Sequence, residues 1–210
     1  MHRFGRRLLP VLIAPFALLA ADMHAAFAQS NPPRSPEPRS SHRSLRVPPG
    51  TEAKLAQLYA ALEKAPNAEA AKPIENRIEA LRLESGSPTA DLLMARARLS
   101  AAAKDRRLTL ELLDAVVKSS PGFIEARAQR ATIYYENKDI ARALADLRAV
   151  VAKDPRHYGA MTGLGIIFEE LGEDKLALDA FRRALAVDPY VHGVPERVKS
   201  LTLKVEGREI

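Results

Sequence analysis

Three prolines, Pro121, Pro155 and Pro189, stand 34 residues apart. An interval that recurs in this way marks a structural unit that recurs. Side chains repeat along with the prolines. Gly165, Phe168, Ala177 and Phe181 precede Pro189, and one interval earlier Ala131, Tyr134, Ala143 and Leu147 take their places. A further interval back, Ala97, Thr109 and Leu113 stand where Gly165, Ala177 and Phe181 stand. Within one interval the apolar residues keep helical spacing: Ile140, Ala143, Leu144, Leu147, Val150 and Val151 form one face. Small residues at 131 and 143, and again at 165 and 177, allow two helices to approach closely. Bulk at 134, 147, 168 and 181 fills the gap to the next pair. One such pair buries its apolar face on one side only, so at least three units must stack to enclose a core.

Between Pro155 and Pro189, Met161, Leu164, Gly165, Phe168, Ala177, Phe181 and Pro189 reproduce the spacing W-x2-L-G-x2-Y…A-x3-F…P, with Met for Trp and Phe for Tyr. Here the chain resembles the tetratricopeptide repeat family. The resemblance implies an all-α fold, a right-handed superhelical stack of antiparallel helix pairs. It gives three repeats over 87–191, at 90–121, 124–155 and 158–189. Counting one interval back from Pro121 reaches Ser87, where Ser87-Pro88 supplies a cap and a first-turn proline. Arg127 and Arg130 depart from the family, which uses large apolar residues there. Either their aliphatic stems pack with the heads reaching water, or this repeat is looser than its neighbours. Gly165 costs its helix about 1 kcal/mol relative to Ala, and close helix contact offsets it. Gly163 has no such account in the sequence.

On either side the period fails. Residues 51–86 form a helical hairpin, with Thr51 as N-cap, a stripe of Leu55, Leu58, Tyr59 and Leu62, a break at Ala65-Pro66-Asn67, and a second stripe of Ile74, Ile78 and Leu81. Being out of register, the hairpin is a divergent repeat or a cap over the apolar end of the stack. Residues 192–210 give a capping helix from about Glu196 to Val205, after a loop over Tyr190–Pro195, and a short tail. Residues 1–28 read as a secretory signal: Arg3, Arg6 and Arg7, an apolar run from Leu8 to Ala21, then Ala26-Phe27-Ala28 as a cleavage pattern. The run is shorter than the roughly 20 residues of a spanning helix, and Pro10 and Pro15 weaken it further as an uncleaved anchor. Residues 29–50, with six prolines and five serines, are a disordered Pro/Arg/Ser-rich linker. The expected location is periplasmic or secreted, with no stable membrane insertion once the signal is removed.

The formal net charge of +6 and a pI near 9.7 invite a nucleic-acid reading. Divided along the chain, +2 lies in residues 1–28 and +3 in 29–50, leaving +1 for 51–210. A nearly neutral folded part is no phosphate-tracking surface, so nucleic acid is not an expected partner. The absence of cysteine rules out disulfides, a thiolate zinc site and a cysteine nucleophile. His2 and His24 lie in the signal and His42 in the linker, while His157 and His192 sit in equivalent loops without a second ligand at metal spacing. No hydrolase, metalloprotease or phosphate-loop motif is present. The expectation is a non-enzymatic protein without catalytic residues, metal or cofactor.

The family resemblance implies a concave groove, lined by the first helix of each pair, that takes a peptide or partner protein. Carried over by position, its candidates are Asp91, Met94 and Arg98, then Glu125, Ala128, Thr132 and Tyr135, then Thr162, Ile166 and Glu169. Tyr135, Arg98 and Met94 lead, since aromatic and arginine anchors are enriched at interfaces. The family's clamp for a C-terminal carboxylate, built of Lys, Asn and Arg, is missing: its positions hold Met94, Arg98, Gln129, Gly159 and Gly163. The alternative function is a structural, self-associating scaffold of an envelope assembly, which leaves homo-oligomers open.

Overall fold

A computed structural model describes residues 50–207. The segment expected to be a signal (1–28), that expected to be a linker up to residue 49, and the last three residues lie outside the described residues. Within them the chain is helical throughout: α1 (Thr51–Glu63), α2 (Ala68–Arg82), α3 (Pro88–Ala102), α4 (Arg106–Ser119), α5 (Ile124–Glu136), α6 (Ile140–Lys153), α7 (Tyr158–Glu170), α8 (Asp174–Val187) and α9 (Val194–Glu206). The sequence interval is copied in the backbone. Helices α4, α6 and α8 have 14 residues each and start 34 apart. The first two are capped by polar side chains: Asp105 accepts from the Leu108 N–H and Asp139 from the Arg142 N–H, removing orphan donors at the helix N-termini.

The turn inside each pair needs one left-handed residue, and Lys104, Lys138 and Gly172 supply it at φ 61°, 61° and 76°. In each turn the N–H one residue further on (Asp105, Asp139, Glu173) reaches back to the carbonyl of Ser100, Tyr134 or Phe168 at 2.8–3.0 Å, the bond that closes a Schellman motif. Only Gly172 takes this conformation without a Cβ penalty.

Helices pair as α3 with α4, α5 with α6 and α7 with α8, and the pairs stack through α4 on α5, α6 on α7 and α8 on α9. The glycines mark the closest approaches. A Cβ on Gly165 would lie 2.5 Å from the Phe181 ring, and one on Gly163 would lie 3.1 Å from Leu147 Cδ1. Gly163 is thereby explained: Leu147 of α6 rests on the bare α7 backbone. Between pairs, Ala126 and Ile133 of α5 share a cluster with Leu112, Leu113 and Val116 of α4. Ala160 and Ile167 of α7 share one with Val150 and Val151 of α6. The equivalent residues of α3, Leu92 and Leu99, are 61% and 72% exposed, because no helix of the described residues stacks on them.

Arg127 and Arg130 turn their heads to a carboxylate of their own repeat. Asp146, 4% exposed on α6, accepts two bonds of 2.7 Å from Arg130 and one of 3.3 Å from Arg127. Arg130 also donates to Asp114 at 2.8 Å. A buried carboxylate facing two guanidinium groups thus replaces the apolar contact of the family pattern.

The hairpin is placed differently from either expectation. Helix α2 forms no packed pair with α3 like that of α4 with α5; α1 packs against α8 instead. Tyr59, Leu62, Ala71 and Ile78 join the cluster of Tyr158, Ala160, Met161 and Ala184, and Tyr190 donates its hydroxyl to the Ala65 carbonyl at 3.0 Å. Burying both apolar stripes against the α7–α8 unit is what draws the hairpin away from α3. Two boundaries also shift. Gly50, at φ 98°, is the N-cap of α1, and Thr51 is a buried first residue. Helix α9 starts at Val194, with Pro195 in its first turn and Gly193 at φ 71° before it. Its Val198 and Leu201 are buried, while Lys204 pairs with Asp174 at 2.7 Å.

Candidate functional site

The first helices of the three pairs face a common concavity, and α2 forms a wall along it. Together they enclose a cavity of about 560 Å³. Small residues make the floor: Ala128 and Ala131 of α5, Gly159 and Gly163 of α7, with Ile166 and Ile167 beyond them. The rim is polar, with Arg98 of α3 and Gln129, Thr132 and Tyr135 of α5; Glu79, Arg82 and Leu83 come from α2. Arg98 makes no ion pair among the described residues. The Tyr135 hydroxyl donates to Glu170 of α7, and this bond is the main reason its phenol is pushed above the usual range.

Six of the ten groove candidates therefore meet at the cavity: Arg98, Glu125, Ala128, Thr132, Tyr135 and Ile166. Four do not line it. Met94 is 2% exposed and packs with Ala90, Ala97 and Leu113; the apolar face of α3 turns toward α4, and a long flexible thioether fills that contact. Asp91 is held by the Ser85 N–H at 3.0 Å and by the Ser85 hydroxyl, as a strut of the α2–α3 turn. Glu169 is taken up by Arg197 of α9. Thr162 lies one turn beyond Tyr158 on α7, with its hydroxyl buried and without a protein partner.

The most connected residue at this site is Arg82, the last of α2, which the sequence reading passed over. Its side chain is 8% exposed. It donates to the Tyr59 hydroxyl, to Asp154 Oδ2 at 3.3 Å and to the Arg156 carbonyl at 3.3 Å, and lies 5.3 Å from the centre of the Tyr158 ring. Arg156 covers the Tyr59 ring at 4.6 Å. Burial pushes the Tyr59 phenol up to about 12, with Arg82 opposing, and burial raises Tyr158 as well.

His157 joins this group to the groove. Its Nδ1 faces the Ala160 N–H at 3.1 Å and Arg82 Nη1 at 3.3 Å. Both are donors only, so Nδ1 is the acceptor and the ring proton of the neutral form sits on Nε2, 3.3 Å from Glu125 Oε2. A line Arg82–His157–Glu125 therefore runs from α2 to α5. The sequence could have pointed to it through Glu125 and His157, which open successive repeats; Arg82, outside the register, carried no such signal.

Among the described residues, the buried side-chain polar atoms without a protein partner are Arg82 Nε, Tyr158 Oη, Thr162 Oγ1 and Asp188 Oδ2. All four lie where the hairpin meets the stack or within one helical turn of that contact. Asp188 adjoins α2: burial raises its pKa, the Tyr190 N–H opposes this, and Glu75 of α2 adds to the rise. Each such atom costs about 1–3 kcal/mol relative to a satisfied one. The described residues hold no group of three His, Asp or Glu placed for a metal ion, and no helix among them is long and apolar enough to cross a membrane.

An all-helical stack with a concave, small-residue floor defines a helical-repeat protein, and comparison with known proteins gives the family. The family described as tetratricopeptide repeat protein 21 ARM repeat matches residues 18–146, and that described as tetratricopeptide repeat matches 128–192. The chain belongs to the tetratricopeptide repeat family. It is 29% identical over 194 residues to a TPR repeat-containing protein of Rhizobium etli, covering 92% of this chain and 88% of the relative. Its fold is similar to the Sgt2 TPR domain of Aspergillus fumigatus (18% identity, 57% of this chain and 81% of that one, TM-score 0.52). It is also similar to the first TPR of Spaghetti (RPAP3), a structure bound to the HSP90 peptide SRMEEVD (17% identity, 57% and 95%, TM-score 0.54).

Proposed function

We propose that this protein is a non-enzymatic interaction module that takes an extended peptide segment of a partner protein into the groove of α3, α5 and α7. The observation that carries the reading is the cavity itself. A floor of Ala and Gly admits apolar side chains, while Arg98, Gln129, Thr132 and Tyr135 offer donors and acceptors to a peptide backbone. The peptide held by the Spaghetti domain, in a structure of the same fold, supports the mode of binding without naming the partner. Selection from a random heptapeptide display library tests it: recovered peptides bind the full chain and lose at least tenfold in affinity against the Arg98→Ala, Tyr135→Ala double variant. Failure to enrich any peptide, or equal affinity for the double variant, would contradict the groove.

Self-association is the second reading, favoured by one observation. Leu92 and Leu99 hold stacking positions that are buried in the next two repeats, yet they are exposed on α3, so a second copy of the chain fits there. Light scattering then gives a dimer that Leu92→Gln, Leu99→Gln converts to monomer; a monomeric wild type removes this reading. We further propose an exported protein, on the strength of residues 1–28. Its mature N-terminus is then Gln29, and exported material with an intact Met1 would count against it.

A further inference from the structure

We propose that the α1–α2 hairpin is a lid over the α7 end of the groove, latched by Arg82 and able to open while α3–α8 stay folded. This rests on the groove reading and supplies its regulation. The covered ground follows from the repeat. Ala128 lines the cavity, whereas its counterpart one interval on, Thr162, one turn beyond Tyr158, does not and has its hydroxyl buried. A partner that follows the groove from Arg98 to the α7 end meets α2 in its way.

The contact has the chemistry of a reversible closure. Stacking within the repeats uses apolar side chains, and the buried charge there, Asp146, is fully engaged by Arg127 and Arg130. Along the hairpin contact Arg82 Nε, Tyr158 Oη and Asp188 Oδ2 are buried without a protein partner. The polar part of the closure centres on one side chain, because Arg82 ties Tyr59, Asp154, Arg156 and His157 together, beside the apolar burial of Leu62, Ala71 and Ile78 and the Tyr190–Ala65 bond. A pivot is present as well: residues 83–87 join α2 to α3 and include Gly86 at φ 73°. With α2 not stacked on α3, the hairpin can turn about this joint without disturbing a repeat junction.

The absence of cysteine permits a direct test. In full chain carrying Thr162→Cys as its sole thiol, maleimide labelling is slow, and adding Arg82→Met speeds it at least tenfold. Ala143→Cys, buried between α5 and α6, stays slow with or without Arg82→Met. Thr162→Cys labelling that ignores Arg82→Met, or that accelerates only in step with Ala143→Cys, would overturn the lid. The readout needs no partner, so the two readings fail separately: an opening lid with no selected peptide removes the groove, and selected peptides over a lid that never opens remove the lid.

Discussion

The α5–α8 units and the α1–α2 hairpin are built from similar helices yet are held by different means. In the units, contacts recur with the period: the positions of Gly165 and Phe181 are taken by Ala131 and Leu147 one interval earlier, and the turn at Gly172 repeats that at Lys138. The hairpin is held once, by a half-polar seam around Arg82 in which several buried atoms find no partner. A junction selected for repetition fills with apolar side chains and leaves few polar atoms to satisfy. A contact outside the period relies on one many-bonded residue, and such contacts sit at the low-stability end of a structure.

This contrast can be broken first at Asp146. Asp146→Ala leaves Arg127 and Arg130 facing each other without their carboxylate, and the global stability in urea falls by about 3–5 kcal/mol. Gly165→Ala comes next, at about 1–3 kcal/mol, since Phe181 has to move from its Cβ. Ala143→Leu overpacks the preceding pair by a similar amount. Gly163→Ala is close to neutral, because the flexible end of Leu147 can give way.

The hairpin responds to alkaline pH instead. Tyr59 titrates near 10 in the unfolded chain and about 12 when folded. The folded form holds its proton longer, so the hairpin loses stability between about pH 10 and about 12. Tyrosinate absorbance followed with α1–α2 helicity checks this, and Tyr59→Phe removes that part of the loss. A small gain belongs to a repeat turn. Lys104→Gly relieves a left-handed lysine and raises stability by about 0.5–1 kcal/mol.

What could be read from the sequence followed the same division. Pro121, Pro155 and Pro189 announce the units, and Ala131 and Gly165 announce the close helix approaches, because a period tests each assignment against its neighbours. The left-handed turns at 104, 138 and 172 were also periodic, but two of them are lysines, which carry no turn signature. Arg127 and Arg130 could not be placed, since their partner Asp146 lies 16 residues beyond Arg130, on the next helix. Of the groove candidates, Arg98, Glu125, Ala128, Thr132, Tyr135 and Ile166 line the cavity. Met94 does not, because its flexible side chain turns inward, nor do Asp91 and Glu169, which Ser85 and Arg197 engage, nor Thr162, whose hydroxyl is buried. The hairpin's seat was not legible, because Arg82 has no repeat counterpart to reveal its long-range partners.

Native-state hydrogen exchange resolved helix by helix bears most directly on a family stack closed by an independently moving hairpin. The expected result is that α1 and α2 exchange through their own opening, faster than α5–α8, which share one slow global opening, and that Arg82→Met speeds only the hairpin. Exchange of α1–α2 at the same rate as α5–α8, in wild type and Arg82→Met alike, would contradict it.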